Sequence, residues 1–234
     1  MKPIPSILFR IACAFSLCFL FNTFAYAQFS VGVSGVLFNH LGSAAANSTV
    51  RTVKSGDQAY FVANPFSVKT TASYGFFMQL QGHNSADVVT GLKIGYDKIK
   101  SENTNVIIPD PVSPSRGSDY FNNDYFNLNP YLGRHFEFNQ LAVELTVGAE
   151  AAFAVQSTET FKAGTTGAPI NQTASRGRFT DWRVKPALAL TYKRVGLDFS
   201  YARGLTNLNK SSVTSIEGGA YSQLFRLGLS YALN

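Results

Sequence analysis

The sequence predicts an all-β protein, an eight-stranded antiparallel up-and-down transmembrane β-barrel, on three observations. Eight segments alternate apolar with small or polar residues over the roughly 9 to 11 positions that a tilted strand needs to cross a bilayer. The connections between them alternate long and short along the whole chain. On every segment the small, polar and charged residues share one face and the aliphatic and aromatic residues share the other.

Before the first segment, Lys2 and Arg10 precede an apolar run from Ile11 through Phe24, and Ala25-Tyr26-Ala27 follows it. A basic start, a short apolar core and a small-x-small site are the marks of an export signal. Cleavage is expected between Ala27 and Gln28, leaving 28–234 as one barrel domain. Both cysteines, Cys13 and Cys18, leave with the signal, and neither stands in a lipid-attachment context. The apolar run is shorter than the roughly 20 residues of a spanning helix, and no later stretch is longer. Without Lys2 and Arg10, 18 basic residues face 14 acidic ones, a net charge of +4. That mild excess argues against nucleic acid as a partner.

The eight segments fall near 29–38, 73–82, 88–99, 125–135, 141–154, 181–192, 195–203 and 222–233. The first carries Gly32 and Ser34 on its small face. In the second, Tyr74, Phe76, Met78 and Leu80 alternate with Gly75, Phe77, Gln79 and Gln81. The third sets Leu92, Ile94 and Tyr96 against Gly91, Lys93, Gly95 and Asp97, and the fourth sets Phe126 and Pro130 against Gly133. Leu141, Val143, Leu145 and Val147 oppose Glu144, Thr146 and Gly148 in the fifth. The sixth puts Trp182, Val184, Leu188, Leu190 and Tyr192 opposite Asp181, Arg183, Lys185, Ala187 and Ala189. In the seventh, Leu197, Phe199 and Tyr201 face away from Asp198, Ser200 and Ala202, and in the eighth Phe225, Leu227, Leu229 and Tyr231 face away from Arg226, Gly228 and Ser230. Pro130 and Pro186 fall inside strands, where each removes a ladder donor, so a bulge or a lost bond is expected at both.

Residues 39–72, 100–124, 155–180 and 204–221 read as long polar loops, and those around 83–87, 136–140 and 193–194 as tight turns. In a meander this places every long loop at one end and every tight turn, with both termini, at the other. Outer-membrane barrels have that asymmetry, with long loops outside the cell and short turns in the periplasm.

A soluble lipocalin-like barrel would turn the apolar face inward, around a ligand, and the other face to water. The small-residue face holds too few Lys and Glu for a wetted surface, whereas a narrow interior has room for small side chains and little else. Its charges are Lys93, Arg183, Lys185 and Arg226 against Asp97, Glu144, Glu150 and Asp198. Buried charges persist when paired, so this set is expected to form an interior charge network, with Glu150 within reach of Arg183 and Lys185. The opposite face carries Tyr74, Tyr96, Phe126, Phe153, Trp182, Tyr192, Phe199, Tyr201, Phe225 and Tyr231, and rings of this kind favour the headgroup layer. Outer-membrane lipid is therefore the expected surroundings.

Leu224-Phe225-Arg226-Leu227-Gly228-Leu229-Ser230-Tyr231-Ala232-Leu233 and Phe126-Asn127-Leu128-Asn129-Pro130-Tyr131-Leu132-Gly133 resemble the small PorT-like outer-membrane barrels of Bacteroidetes. Their architecture is similar to the barrel of outer membrane protein A. The resemblance spans the region after Ala27 and brings no catalytic motif.

The only histidines are His40, His83 and His135; the latter two map to the tight-turn end, and in the long loops only His40 has a serine nearby, Ser43, so an enzyme is not expected. Neither a metal site nor a cofactor is expected, because metal-ligand spacings are missing and Gly164-Thr165-Thr166-Gly167 lacks the ending of a phosphate loop. The remaining classes are a structural or interaction protein acting through its outer loops, an accessory barrel of a secretion system, and a small passive channel. Eight strands leave a lumen that side chains fill, which favours the first over the last. The candidate partner loop is the second, with Asp110, Arg116, Tyr120, Phe121 and Tyr125.

Overall fold

The computed structural model describes residues 27–46, 51–55, 58–62, 66–108, 115–163, 170–175, 177–211 and 218–233. Eight long strands form the wall: β1 (Gln28–Leu41), β4 (Thr71–His83), β5 (Val88–Ile108), β6 (Ser115–Phe138), β7 (Leu141–Ala163), β9 (Thr180–Tyr192), β10 (Val195–Gly204) and β11 (Tyr221–Ala232). A hairpin of β2 (Arg51–Ser55) and β3 (Gln58–Val62) lies within the first outer connection, and β8 (Ile170–Ser175) pairs with the far end of β7. Each wall strand pairs antiparallel with its neighbour in the chain-order meander, and β1 pairs with β11, so the sheet closes.

The register fixes the barrel's shape. From Ser34 it runs through Gly75, Asp97 and Tyr125 to Ala154 in one direction. In the other direction it runs through Gly228, Asp198 and Ala189 to Glu144. Both routes end on β7, ten residues apart, and this is the stagger of the closed sheet. With about 3.3 Å per residue and about 4.7 Å between strands, it tilts the strands by roughly 40°.

Tight turns close one end. Asn84 accepts the amides of Ala86 and Val88 at its side-chain oxygen, both at 3.0 Å, and Asp87, Asn139 and Lys193 take positive φ values of 57°, 59° and 55°. Short polar side chains tolerate that conformation well, and Lys193 shows that a two-residue turn will impose it on a longer one. The two strand prolines each interrupt pairing without a bulge. The β6–β7 ladder lapses between Leu128 and Tyr131, and the β9–β10 ladder between Val184 and Ala187, with the register unchanged on either side. The register shifts lie elsewhere: opposite Asp124 and Tyr125, where β7 carries one extra residue, and between Asn103 and Val106 on β5.

The far end departs from the sequence reading. Hydropathy predicts loops over residues 100–124 and 155–180, but β5 and β6 stay paired out to Ile108 and Ser115, and β7 out to Ala163. Alternation persists there in polar form, Glu102, Asn122 and Thr160 facing out while Ser101, Asn123 and Ser157 face in, so hydrophobic periodicity misses it. Above the ionic layer an apolar layer fills the lumen, made by Val36, Phe38, Ile99, Tyr125, Ala202 and Leu224. A short helix α1 (Ser43–Ala46), Phe66, Leu208 and Ala220 pack into a second cluster joined to the first through Phe179. The first and fourth outer connections are tied together by the Ala44 amide on Gly219 O at 3.1 Å, and the fourth is braced within itself by the Asn209 side-chain amide on Gly218 O at 2.9 Å.

Candidate functional site

Alternation on β7 and β9 turns Glu150, Arg183 and Lys185 into the lumen, and the register sets Glu150 directly opposite Arg183. Arg183 Nη1 donates to Glu150 Oε1 at 3.0 Å, and Lys185 Nζ lies 3.3 Å from Glu150 Oε2. Arg226 reaches across from β11, donating from Nη2 to Glu150 Oε1 at 2.9 Å and to Asp97 Oδ2 at 2.7 Å. Asn127 holds that Asp97 oxygen from the next strand at 2.9 Å. Glu150 thus sits among three cations, with its side chain 1% exposed.

Small residues make room for this layer. A Cβ on Gly75 would stand 2.1 Å from Asp97 Oδ1, and one on Gly32 would stand 2.5 Å from the ring of Phe77. Lys93 packs over that ring at 4.4 Å and pairs with Asp198 at 2.9 Å, as a unit beside the Glu150 cluster. Glu144 lies apart, nearer the tight turns, where it accepts from Gln81 at 3.0 Å and meets His135 Nδ1 at 3.2 Å. Tyr131 donates to the same Gln81 at 3.0 Å, and the ring of His83 stacks on His135.

Two inward acids stand outside the charge network read from sequence, although Asp181 shares the inward face of its segment there. Asp181, fully buried, accepts from Arg183 Nε at 2.7 Å and from the Ser222 hydroxyl. Its parity matches that of Arg183 two residues later, which is a sufficient signal. Asp119 is 1% exposed on the part of β6 that hydropathy reads as loop. The inward charges are therefore not the equal set counted from sequence.

Among the lining residues Ser34, Lys93, Asp97, Glu150, Lys185 and Arg226, the remaining cavity is about 20 Å³. That admits about one water at this level of the lumen. The arrangement can lock strands across the lumen and exclude a continuous water column.

The candidate partner loop fares differently. Asp110 lies outside the described residues, and Arg116 falls within β6. Phe121 and Tyr125 are 2% and 0% exposed, so they belong to the barrel interior and not to a partner surface. Tyr120, of opposite parity, stays on the outer wall, with Lys162 Nζ 5.6 Å from its ring centre. His40 is also interior: it accepts the Ser67 amide at 3.4 Å and lies between the rings of Phe38 and Phe66. Among the described residues no group of three His, Cys, Asp or Glu could hold a metal ion. The export signal and most of its cleavage site lie outside the described residues, which begin at Ala27, one residue before β1.

No protein-family model matches the chain, and no curated protein sequence matches it. Solved structures do. Neisserial surface protein A is similar at 10% identity, with 88% of this chain and 98% of that one covered and a TM-score of 0.42. Ail, the attachment invasion locus protein of Yersinia pestis, solved with the heparin analogue sucrose octasulfate, is similar at 10% identity, covering 88% and 97%, with a TM-score of 0.37. The N-terminal β-barrel domain of Pseudomonas aeruginosa OprF is similar at 10% identity, covering 88% and 100%, with a TM-score of 0.31.

Proposed function

We propose that this chain is an exported integral outer-membrane protein whose filled barrel is a rigid stake for the hairpins it holds outside the cell. One observation carries the reading: the barrel is turned polar side in. Its buried face holds the Glu150 cluster, while Val33, Tyr74, Phe76, Leu132, Leu145, Leu227 and Leu229 are all more than half exposed on the outer wall. A water-soluble barrel would have that order reversed. Along β7 the outward apolar series runs from Leu141 to Phe153, about 30 Å along the barrel axis at the tilt above, which matches a hydrocarbon core. Partner contacts fall to the β5–β6 and β7–β8 hairpins, the first of which carries Arg116, because the cavity among the inward charges has no space for a ligand.

Two measurements test this. Purified protein in planar bilayers should show no large, long-lived conductance, and stable porin-sized channels would replace the stake with a pore. Protein taken from outer-membrane fractions should begin at Gln28 on N-terminal sequencing. Recovery of the uncut chain from the inner membrane would remove both the cleavage site and the location.

A further inference from the structure

Above the apolar belt, the outer wall changes character. Lys98 sits beside Tyr74 across the β4–β5 ladder, at the level of the upper aromatic ring, and Lys100 follows two residues further out. From there a cleft of about 570 Å³ climbs the wall, lined among others by Lys69, Thr71, Lys100, Tyr120, Asn122 and Lys162. The cleft has two kinds of lysine. Lys69 pairs with Glu102, which also lines the cleft, at 3.2 Å, and below the cleft Lys98 lies 4.0 Å from Asp124. Lys100 and Lys162 are exposed and have no carboxylate partner among the described residues. Both are held by the sheet: the Lys100 amide donates to Ser73 Oγ at 2.9 Å, its carbonyl accepts from Thr71 Oγ1, and Lys162 lies against Tyr120.

We propose that this cleft binds the phosphorylated saccharide headgroup of an outer-leaflet glycolipid whose acyl chains lie on the belt below. Charge complementarity selects the occupant: the two unpaired cations call for phosphate, which takes a lysine as a point charge. Hydroxyls of Thr70 and Thr71, the Asn122 amide and the Tyr120 ring suit a saccharide between the phosphates. Continuity with the belt selects a lipid over a soluble ligand, because the cleft opens directly above Ala72 and Tyr74, both exposed on the wall. The height of the cleft also matters, since a small glycerol headgroup at the level of Lys98 could not reach Lys162, which lies near the end of β7.

The inference rests on the membrane reading, and the experiment separates the two. The protein is reconstituted in phosphatidylcholine nanodiscs containing lipopolysaccharide in either its phosphorylated or its enzymatically dephosphorylated form. It is then released into mild detergent, and retained lipid is read by mass spectrometry. The phosphorylated form should be retained several-fold over the other. Lys100→Gln with Lys162→Gln should lower that retention by about five-fold for each lysine, while the heat-sensitive gel mobility of the folded barrel stays unchanged. Equal retention of the two forms in a folded, inserted protein overturns the lipid site alone. Release of the lipid by inorganic phosphate, or by a soluble polysulfated saccharide, at low concentration would assign the cleft to a soluble anion and also overturn it. Failure to insert at all would overturn the membrane reading and the lipid site with it.

Discussion

Glu150→Leu is expected to lower the unfolding free energy by about 3 to 5 kcal/mol, the cost of breaking a buried ionic cluster from one side. Leucine approximates the volume of the side chain, so the loss is electrostatic and not a cavity. The three cations are left in different positions. Arg183 keeps Asp181 and Arg226 keeps Asp97, but Lys185 loses its carboxylate and has no other within ion-pair distance among the described residues. Lys185 is therefore the stranded charge, and Glu150→Leu with Lys185→Met should recover part of the loss through a coupling of about 0.5 to 3 kcal/mol. Trp182, the single tryptophan, is exposed on the outer wall beside Arg183, so its fluorescence in a urea titration of the lipid-inserted protein reports the strand leaving the bilayer. An unchanged midpoint in the single variant would mean that water reaches the cluster and screens it.

The wall is legible in the sequence and its outer extensions are not, and the reason lies in what period two reports. Alternation is visible only where the two faces meet different surroundings, and between Leu141 and Phe153 one face is the exposed apolar wall and the other borders the ionic layer. Past that level both faces of β5, β6 and β7 are polar, so Asn122, Asn123 and Thr160 carry the same pairing with no contrast to show it. The pairing of Glu150 with Arg183 is suggested by their equal distance from the tight-turn end of the barrel, but no tight turn joins β7 to β9, and only the closed sheet sets that register. The reach of Arg226 across to Asp97 cannot be anticipated, since it depends on the stagger of 10, which only closure determines. The apolar upper lumen escapes for a related reason. Val36, Phe38 and Leu224 continue the inward parity of Ser34 and Arg226, but an apolar residue on either face looks alike in sequence.

Filling has a mechanical consequence that separates this barrel from a pore of the same strand count. Glu150 is reached from β9 and β11, and Arg226 carries the link on to Asp97 on β5, so strands on opposite sides of the lumen are tied by side chains as well as by the ladder. The apolar layer and the α1 cap then close the outer mouth above it. Bending such a barrel requires breaking ion pairs away from water, and on the proposed reading that rigidity is what the interior supplies to the hairpins.

Val147→Arg is the second substitution with a large expected effect, and it tests the bilayer from outside. Val147 lies six residues from Leu141 at the turn end of β7 and six from Phe153 at the upper aromatic level, and it is 47% exposed on the outer wall. Its neighbours across the ladders are Leu132 and Pro186, neither of which can pair with a guanidinium. An arginine there faces the middle of the hydrocarbon and should cost about 2 to 4 kcal/mol, whereas Leu141→Arg, at the headgroup level, should cost at most about 1 kcal/mol. The contrast between the two positions is the measurement, because each replaces an exposed aliphatic side chain on the same strand and the two differ chiefly in depth. Urea midpoints of refolded protein in lipid vesicles give both values. If the outer wall met water instead, an exposed arginine would cost little at either position, and equal midpoints for the two variants would mean that the belt does not sit in a bilayer.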